Sequence, residues 1–359
     1  LASLNLRDRD GIVTKEGLVF RVFGYSHPHD AYICDAEYAC DKIFKSADPR
    51  APRTASKGVF YKFYDDEGWK LVFSRFPQYT FQHVMLGQRV VGVNHTDIVE
   101  EKKPDSVLRS LVDQPAKDEL VDAMQRVLAT ITNRSSLSNS DFGVFGSMLH
   151  SFHHPKLSDI DLIVYGIKTN NKVRELLETL YSEEHSCFRN EFETPQAMDG
   201  KRWRFKNYTV KEFVWHQKRK QIYGLFHDTK SGRTIKAEFE PVKAWSEIQS
   251  DYDSAARIIR KDWVRIKARV TRDVEAPFIP SIHGIKPLEV LSGAKSALEA
   301  VRVVSYMEEF RQQAQKDETV IVEGNLEEVI SPKGGWLQIA LTYCPRYYEQ
   351  VLKVADLTV

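Results

Sequence analysis

Over the first hundred residues apolar and polar positions alternate in short runs, and this period of two predicts strands at 18–23, 59–64 and 70–73. Asp65-Asp66-Glu67-Gly68 reads as a hairpin turn between the last two, residues 48–53 as a loop, and Lys102-Lys103-Pro104-Asp105 as a linker. The period then changes. Leu120, Met124, Val127, Leu128 and Ile131 recur at helical spacing and predict a helix over 116–132. Phe142, Val144 and Phe145, and then Leu162-Ile163-Val164, read as two buried strands. A second helix follows with Val173, Leu176, Leu177 and Leu180 on one face. Another strand is expected at 233–242, after an insertion over 183–232. Beyond residue 250 the pattern predicts an amphipathic helix at 253–265 and strands at 301–306, 319–322 and 336–343. Glu323-Gly324-Asn325 and Gly334-Gly335 supply turns, and 300–315 also fits a helix.

The expected fold class is therefore α+β. A small β-rich domain occupies 1–104, an α-β-α-β-α-β unit occupies 105–250, and 251–359 forms a C-terminal α/β region, a helix and then a small antiparallel barrel or sheet. A chain of 359 residues is long enough for two or three such cores. Four scattered cysteines, Cys34, Cys40, Cys187 and Cys344, give neither a disulfide framework nor a zinc ribbon, so a reducing, cytoplasmic setting is expected. No apolar run reaches membrane-spanning length, and residues 1–20 lack a signal-peptide layout.

The chemistry concentrates between residues 142 and 164. Gly146-Ser147 follows the first buried strand, and Ser158-Asp159-Ile160-Asp161 leads into the second. Glycine lets the backbone approach a phosphate, and Ser147 adds a hydroxyl and an N–H. Side chains two apart on a strand share a face, so Asp159 and Asp161 stand together and repel unless a cation joins them. Mg²⁺ takes oxygen ligands and is commonly held by one or two carboxylates plus substrate phosphates. Taken singly, a Gly-Ser pair is a turn and Asp-x-Asp a solvated edge; the conjunction is what points to a triphosphate site.

The stretch Phe145-Gly146-Ser147 followed by Ser158-Asp159-Ile160-Asp161-Leu162 resembles the signature of the DNA polymerase beta-like nucleotidyltransferase superfamily, whose members include CCA-adding enzymes, poly(A) polymerases and minimal nucleotidyltransferases. The resemblance covers about residues 118–245. It implies a nucleotidyltransferase palm, a mixed sheet with helices, which binds an NTP and two Mg²⁺ ions, with Mn²⁺ an alternative. It also implies nucleotide contacts at Gly146, Ser147 and Ser158, metal contacts at Asp159 and Asp161, and a third carboxylate on a later strand. On 233–242, Glu238 best fits the apolar-acid-apolar form expected there, with Glu240 close behind; a charged outer face of an edge strand is the plainer alternative. One departure stands out. Where many members carry a cation and then glycine, this chain has His150 and Ser151. His150, His153 and His154 could meet phosphate when protonated or form a zinc site, and a solvated turn is the simpler reading.

Charge is balanced overall, with 51 Lys and Arg against 50 Asp and Glu, so net charge names no partner. Locally it is not. Lys201, Arg202, Arg204, Lys206, Lys211, Lys218, Arg219 and Lys220 face only Glu212 and interleave with Trp203, Phe205, Tyr208, Phe213 and Trp215. A second excess runs from Arg257 to Arg272, while Glu308, Glu309, Glu323, Glu327 and Glu328 concentrate elsewhere. Such stretches can hold phosphates and stack bases, or can be solvated faces whose aromatics are core. The expected activity is Mg²⁺-dependent transfer of a nucleoside monophosphate to an acceptor hydroxyl, with RNA favoured as acceptor. The alternative is a palm that binds nucleotide or RNA without catalysis.

Overall fold

The computed structural model describes residues 5–55, 58–83, 86–249, 257–332, 334–355 and 357. The chain forms two compact units, one of residues 1–83, 88–188 and 225–252, the other of 84–87, 189–224 and 253–359. The insertion therefore belongs mostly with the C-terminal region.

In the first unit, strands β1 (Gly11–Thr14), β2 (Leu18–Val22), β3 (Ala31–Cys40), β4 (Pro52–Ala55), β5 (Gly58–Lys62), β6 (Thr80–His83), β7 (Gln88–Asn94) and β8 (Ile98–Lys102) form one sheet. Its path runs β4-β5-β3-β2-β1-β8, with β7 pairing to both β3 and β6. Ile12, Leu18, Phe20, Val22, Val91 and Val93 line its core. Asp65-Asp66 do form a turn, but it leads into helix α1 (Glu67–Arg75) in place of the strand expected at 70–73. The apolar run there is too short to separate a period of two from 3.6. Glu67 decides it locally by reaching back to accept the Tyr64 N–H at 2.8 Å.

Next come α2 (Pro104–Val112) and α3 (Glu119–Asn133). Asp118 caps α3 by accepting the N–H groups of Leu120 and Val121, both at 3.0 Å. The five apolar residues that predicted this helix are all buried. They accompany a sheet of β9 (Phe142–Val144), β10 (Ile160–Tyr165), β11 (Phe188–Asn190), β12 (Tyr223–Asp228) and β13 (Arg233–Val242), ordered β11-β12-β13-β10-β9. Helix α4 (Gly146–Leu149) lies between β9 and β10, and α5 (Ile167–Ser182) follows β10. The sheet is mixed, β10 running parallel to β13 and antiparallel to β9.

The second unit contains α6 (Val210–Lys218) and strands β14 (Arg257–Glu275), β15 (Ser281–Ser292), β16 (Ala300–Ser305), β17 (Thr319–Ser331), β18 (Gly334–Leu341) and β19 (Val351–Val354). Pairing runs β14-β15-β16-β18-β17 and returns from β17 to β14, closing a five-stranded barrel with β19 attached to β17. It is not wholly antiparallel, because β16 and β18 are parallel. The helix expected at 253–265 is also corrected: from Arg257 onward the chain is strand β14, while 253–256 lie outside the described residues. Val264, Ile266, Ala268 and Val270 point inward and alternate with Arg265, Lys267 and Arg269, a period of two. The turn expected at 323–325 lies inside β17. A Cβ on Gly324 would approach the Ala340 carbonyl to 2.8 Å, so glycine here serves close packing, not chain reversal. Residues 300–315 are strand β16 and then a single 3₁₀ turn at Glu308–Phe310.

Phe310 is fully buried in the barrel core and meets the rings of Phe205 and Tyr208 at 5.7 Å each. Phe310→Ala should lower the unfolding free energy of the second unit by about 3–5 kcal/mol, read as a lower denaturant midpoint.

Candidate functional site

The chain leaves β9 through Phe145, whose N–H donates to the Asp161 carbonyl at 2.9 Å, and turns at Gly146 with φ +60°. A Cβ at Gly146 would collide with the Asp161 carboxylate, so only glycine lets the backbone pass there. Past α4, the Phe152 N–H donates to the Ser147 carbonyl at 2.7 Å and closes a compact loop. Ser151, in that loop, is left-handed at φ +57°.

The parallel register sets Asp161 opposite Glu238 and Ile163 opposite Glu240. Registered residues project to one face, so Asp161, Glu238 and Glu240 share a side. Ile160, Leu162, Ala237 and Phe239 fill the other side and are fully buried. Asp159 is exposed, one residue before β10. Burial and then the Asp159 charge push the Asp161 carboxyl up to about 7; Glu240 and Glu37 add to the rise, and Lys62 opposes it.

The two glutamates differ in setting. Glu240 is buried and ion-paired with Arg9, Nη2 to Oε2, at 3.0 Å. Glu238 is half-buried beside Asp161. Arg9 also lies over the Phe145 ring at 5.1 Å. It belongs to Arg7-Asp8-Arg9-Asp10, four consecutive charged residues that are all buried. Arg7 lies 3.6 Å over the Tyr165 ring, Asp8 accepts the Gly24 N–H at 2.7 Å, and burial pushes Asp10 up to about 8. Sequence inspection passed over this segment, because alternating charges beside a strand look like a solvated edge. The one available signal was the strict alternation of sign, which lets buried charges pair.

His150 is buried between Tyr38 and Phe152, with ring centroids 5.7 and 5.5 Å away. Burial first, and Lys102 second, drive its pKa down to about 3, so the ring is neutral at pH 7 and offers a phosphate no charge. His153 pairs with Asp118 at 2.9 Å, and His154 accepts the Lys156 N–H at 3.1 Å. The three histidines thus face different partners. Ser158 Oγ accepts the His154 N–H at 2.9 Å, which commits it to the turn. Among the described residues no three His, Cys, Asp or Glu side chains already form a metal cage. A surface cavity of about 520 Å³, lined by Glu119, Asp122, Lys156, Asp228 and Arg233, includes none of the motif residues.

The basic-aromatic stretch is largely structural. Phe205, Tyr208 and Phe213 are core residues, with Trp203 packed against them. Lys201 pairs with Glu191 at 3.5 Å, Lys206 with Glu349 at 2.9 Å, Lys218 with Glu193 at 2.7 Å and Arg219 with Glu318 at 2.5 Å. Arg204 donates to the Tyr348 hydroxyl at 2.9 Å, and buried Lys220 to the Glu309 carbonyl at 2.6 Å. Arg202 is exposed. In the second stretch, Arg260, Lys261 and Arg265 on β14 meet Glu327, Glu328 and Glu323 on β17 at 3.7, 2.5 and 3.5 Å.

Among known proteins, the chain is 24% identical over 333 residues to the uncharacterized protein MJ1086 of Methanocaldococcus jannaschii. The match spans 92% of this chain and 93% of the relative, so it includes both units. No family model matches the chain. No solved structure matches it. No helix of the described residues is long and apolar enough to cross a membrane.

Two outcomes follow from this geometry. Ser151→Gly should stabilise the first unit by about 1 kcal/mol, because a side chain in the left-handed region carries roughly that penalty; a raised thermal midpoint checks it. An unfolded Asp ionises near pH 4 and Asp161 in the folded chain near 7. Between these values the unfolded state has already lost the proton, so metal-free protein should lose stability as pH rises from about 4 to about 7. Asp161→Asn should reduce that slope in a denaturation series over pH, the remainder coming from Asp10, which burial raises to about 8.

Proposed function

We propose that the chain is a Mg²⁺-dependent nucleotidyltransferase built on a polymerase beta-like palm. The observation that carries this reading is one shared face with Asp161 beside Glu238, Asp159 just ahead of it, and the Gly146 backbone against the Asp161 carboxylate. The donors are all hard oxygens, and Asp161 holds its proton toward neutrality because it is buried and then because like charges surround it, a situation that a divalent cation relieves. Asp159, Asp161 and Glu238 are the residues that would hold Mg²⁺, or Mn²⁺ in its place. Bound there, the metal supplies Lewis-acid activation of the acceptor hydroxyl and neutralises phosphate charge.

The chain's own part is positional. Gly146 and Ser147 present backbone and hydroxyl to the terminal phosphates of the NTP. Arg9 holds Glu240 and so limits the negative charge facing Asp161. A bond forms between the acceptor oxygen and the α-phosphorus, the bond from that phosphorus to pyrophosphate breaks, and the acceptor proton passes to solvent.

RNA is the acceptor class proposed. Its support is the second unit, whose closed five-stranded barrel follows the Greek-key plan of OB-type nucleic-acid binders, a fold-level analogy. The basic stretches add less than their residue count suggests, since more than half of their cations are ion-paired.

Incubation with each labelled NTP, Mg²⁺ and total RNA should give metal-dependent incorporation. Asp159→Asn and Asp161→Asn should each lower its rate by about 100-fold or more. No Mg²⁺-dependent transfer to any acceptor, with both variants indistinguishable from the parent, would overturn the catalytic reading. Nucleotide binding that persists without Mg²⁺ and in Asp161→Asn, with no turnover, would instead make the palm a non-catalytic binding module.

A further inference from the structure

A triphosphate brings several negative charges to a site that already holds three carboxylates, so a protein cation is needed beside the metal. His150 occupies the sequence position where a cation would follow the Gly146-Ser147 turn, and it is buried and neutral. The loop that carries it is packed by aromatic contacts onto the N-terminal sheet. Phe152 stacks on Phe60 of β5 with centroids 4.6 Å apart and meets Tyr38 of β3 edge-on at 5.2 Å. Lys62 is two residues beyond Phe60 on the same strand, hence on the same face, and its register partner is Tyr38. The contact that fixes the loop therefore also brings a lysine to it.

The state of Lys62 fits a waiting anion. It is half-buried, and among the described residues its ammonium makes no hydrogen bond or ion pair, with only the Tyr64 ring at 6.0 Å. Its ammonium also lies within electrostatic range of Asp161. Only the stem of the side chain is covered and its ammonium reaches solvent, so an incoming anion can meet it without displacing a protein partner. A lysine presents three donors that turn freely toward phosphate oxygens.

We propose that Lys62, delivered by the stacking of Phe60 on Phe152, is the cation that binds the terminal phosphates of the nucleotide, replacing the one absent at position 150. This rests on the nucleotidyltransferase reading of Asp159 and Asp161. The nucleotide site is then completed by the N-terminal sheet, and deleting that sheet's contribution disables phosphate binding without touching the metal carboxylates.

Calorimetric titration of the full chain with Mg²⁺-NTP and with Mg²⁺-tripolyphosphate tests it. Lys62→Met should weaken both by about tenfold or more, the loss expected for one charge-assisted contact, while Lys62→Arg retains most of the affinity. Should Lys62→Met prove unstable by its thermal midpoint, Lys62→Gln serves as the second variant with the same expectation. Parental affinity in the neutral variants would overturn the role of Lys62 and leave the nucleotidyltransferase reading standing. A parent that binds neither ligand with Mg²⁺ would overturn both.

Discussion

The first unit depends on a crowding of negative charge at Asp161. Its carboxyl is flanked by Asp159, Glu240 and Glu37 in a setting that water reaches poorly, and each neighbour makes ionisation harder. The fold answers with cations from far along the chain. Arg9 pairs with Glu240 from 231 residues away in sequence, and Lys62 acts on Asp161 from the N-terminal sheet. Arg7 and Asp8 flank Arg9 with alternating charge and burial keeps Asp10 largely protonated at pH 7, so these four buried side chains in a row can be accommodated together. A buried network of this kind is sensitive to losing one member, because the remaining charge is left in low dielectric.

Close backbone approach is the second constraint. Gly146 has no room for a side chain because the Asp161 carboxylate occupies it, and Gly11 would set a Cβ 2.8 Å from the His150 ring. These glycines let the loop after β9 lie against both β10 and the N-terminal sheet. The aromatic set Tyr38, Phe60, His150 and Phe152 fills the space between loop and sheet. His150 is therefore an aromatic packing residue in this arrangement, held neutral by burial.

Ladder geometry governs charge in the second unit. β14 and β17 are neighbours over twelve registered pairs, and the lysines and arginines of one strand lie beside the glutamates of the other. Two runs that look like opposite patches in the sequence cancel at short range. Exposed or partly exposed pairs of this kind add little stability each, but they leave little free charge for a polyanion.

Much of the central sheet was legible in the sequence. The helix at Glu119–Asn133, the strands flanking Gly146-Ser147 and Asp161, and the strand bearing Glu238 and Glu240 all followed from apolar periodicity, which is a local signal. The shared face of Glu238 and Glu240 followed too, since alternation along a strand is a property of the backbone, whereas the register that sets Asp161 opposite Glu238 comes from strand pairing and was implied beforehand only by the family resemblance. What sequence could not decide were the outcomes set by distant partners. Strand β14 replaced a helix and a turn-like Glu-Gly-Asn became the middle of β17, because barrel closure and core packing overrode ambiguous short runs. The burial of His150, the clamp of Arg9 on Glu240 and the arrival of Lys62 near Asp161 belong to the same class. Each depends on which residues meet across tens or hundreds of positions, and only tertiary packing, through desolvation and Coulomb interaction, sets that.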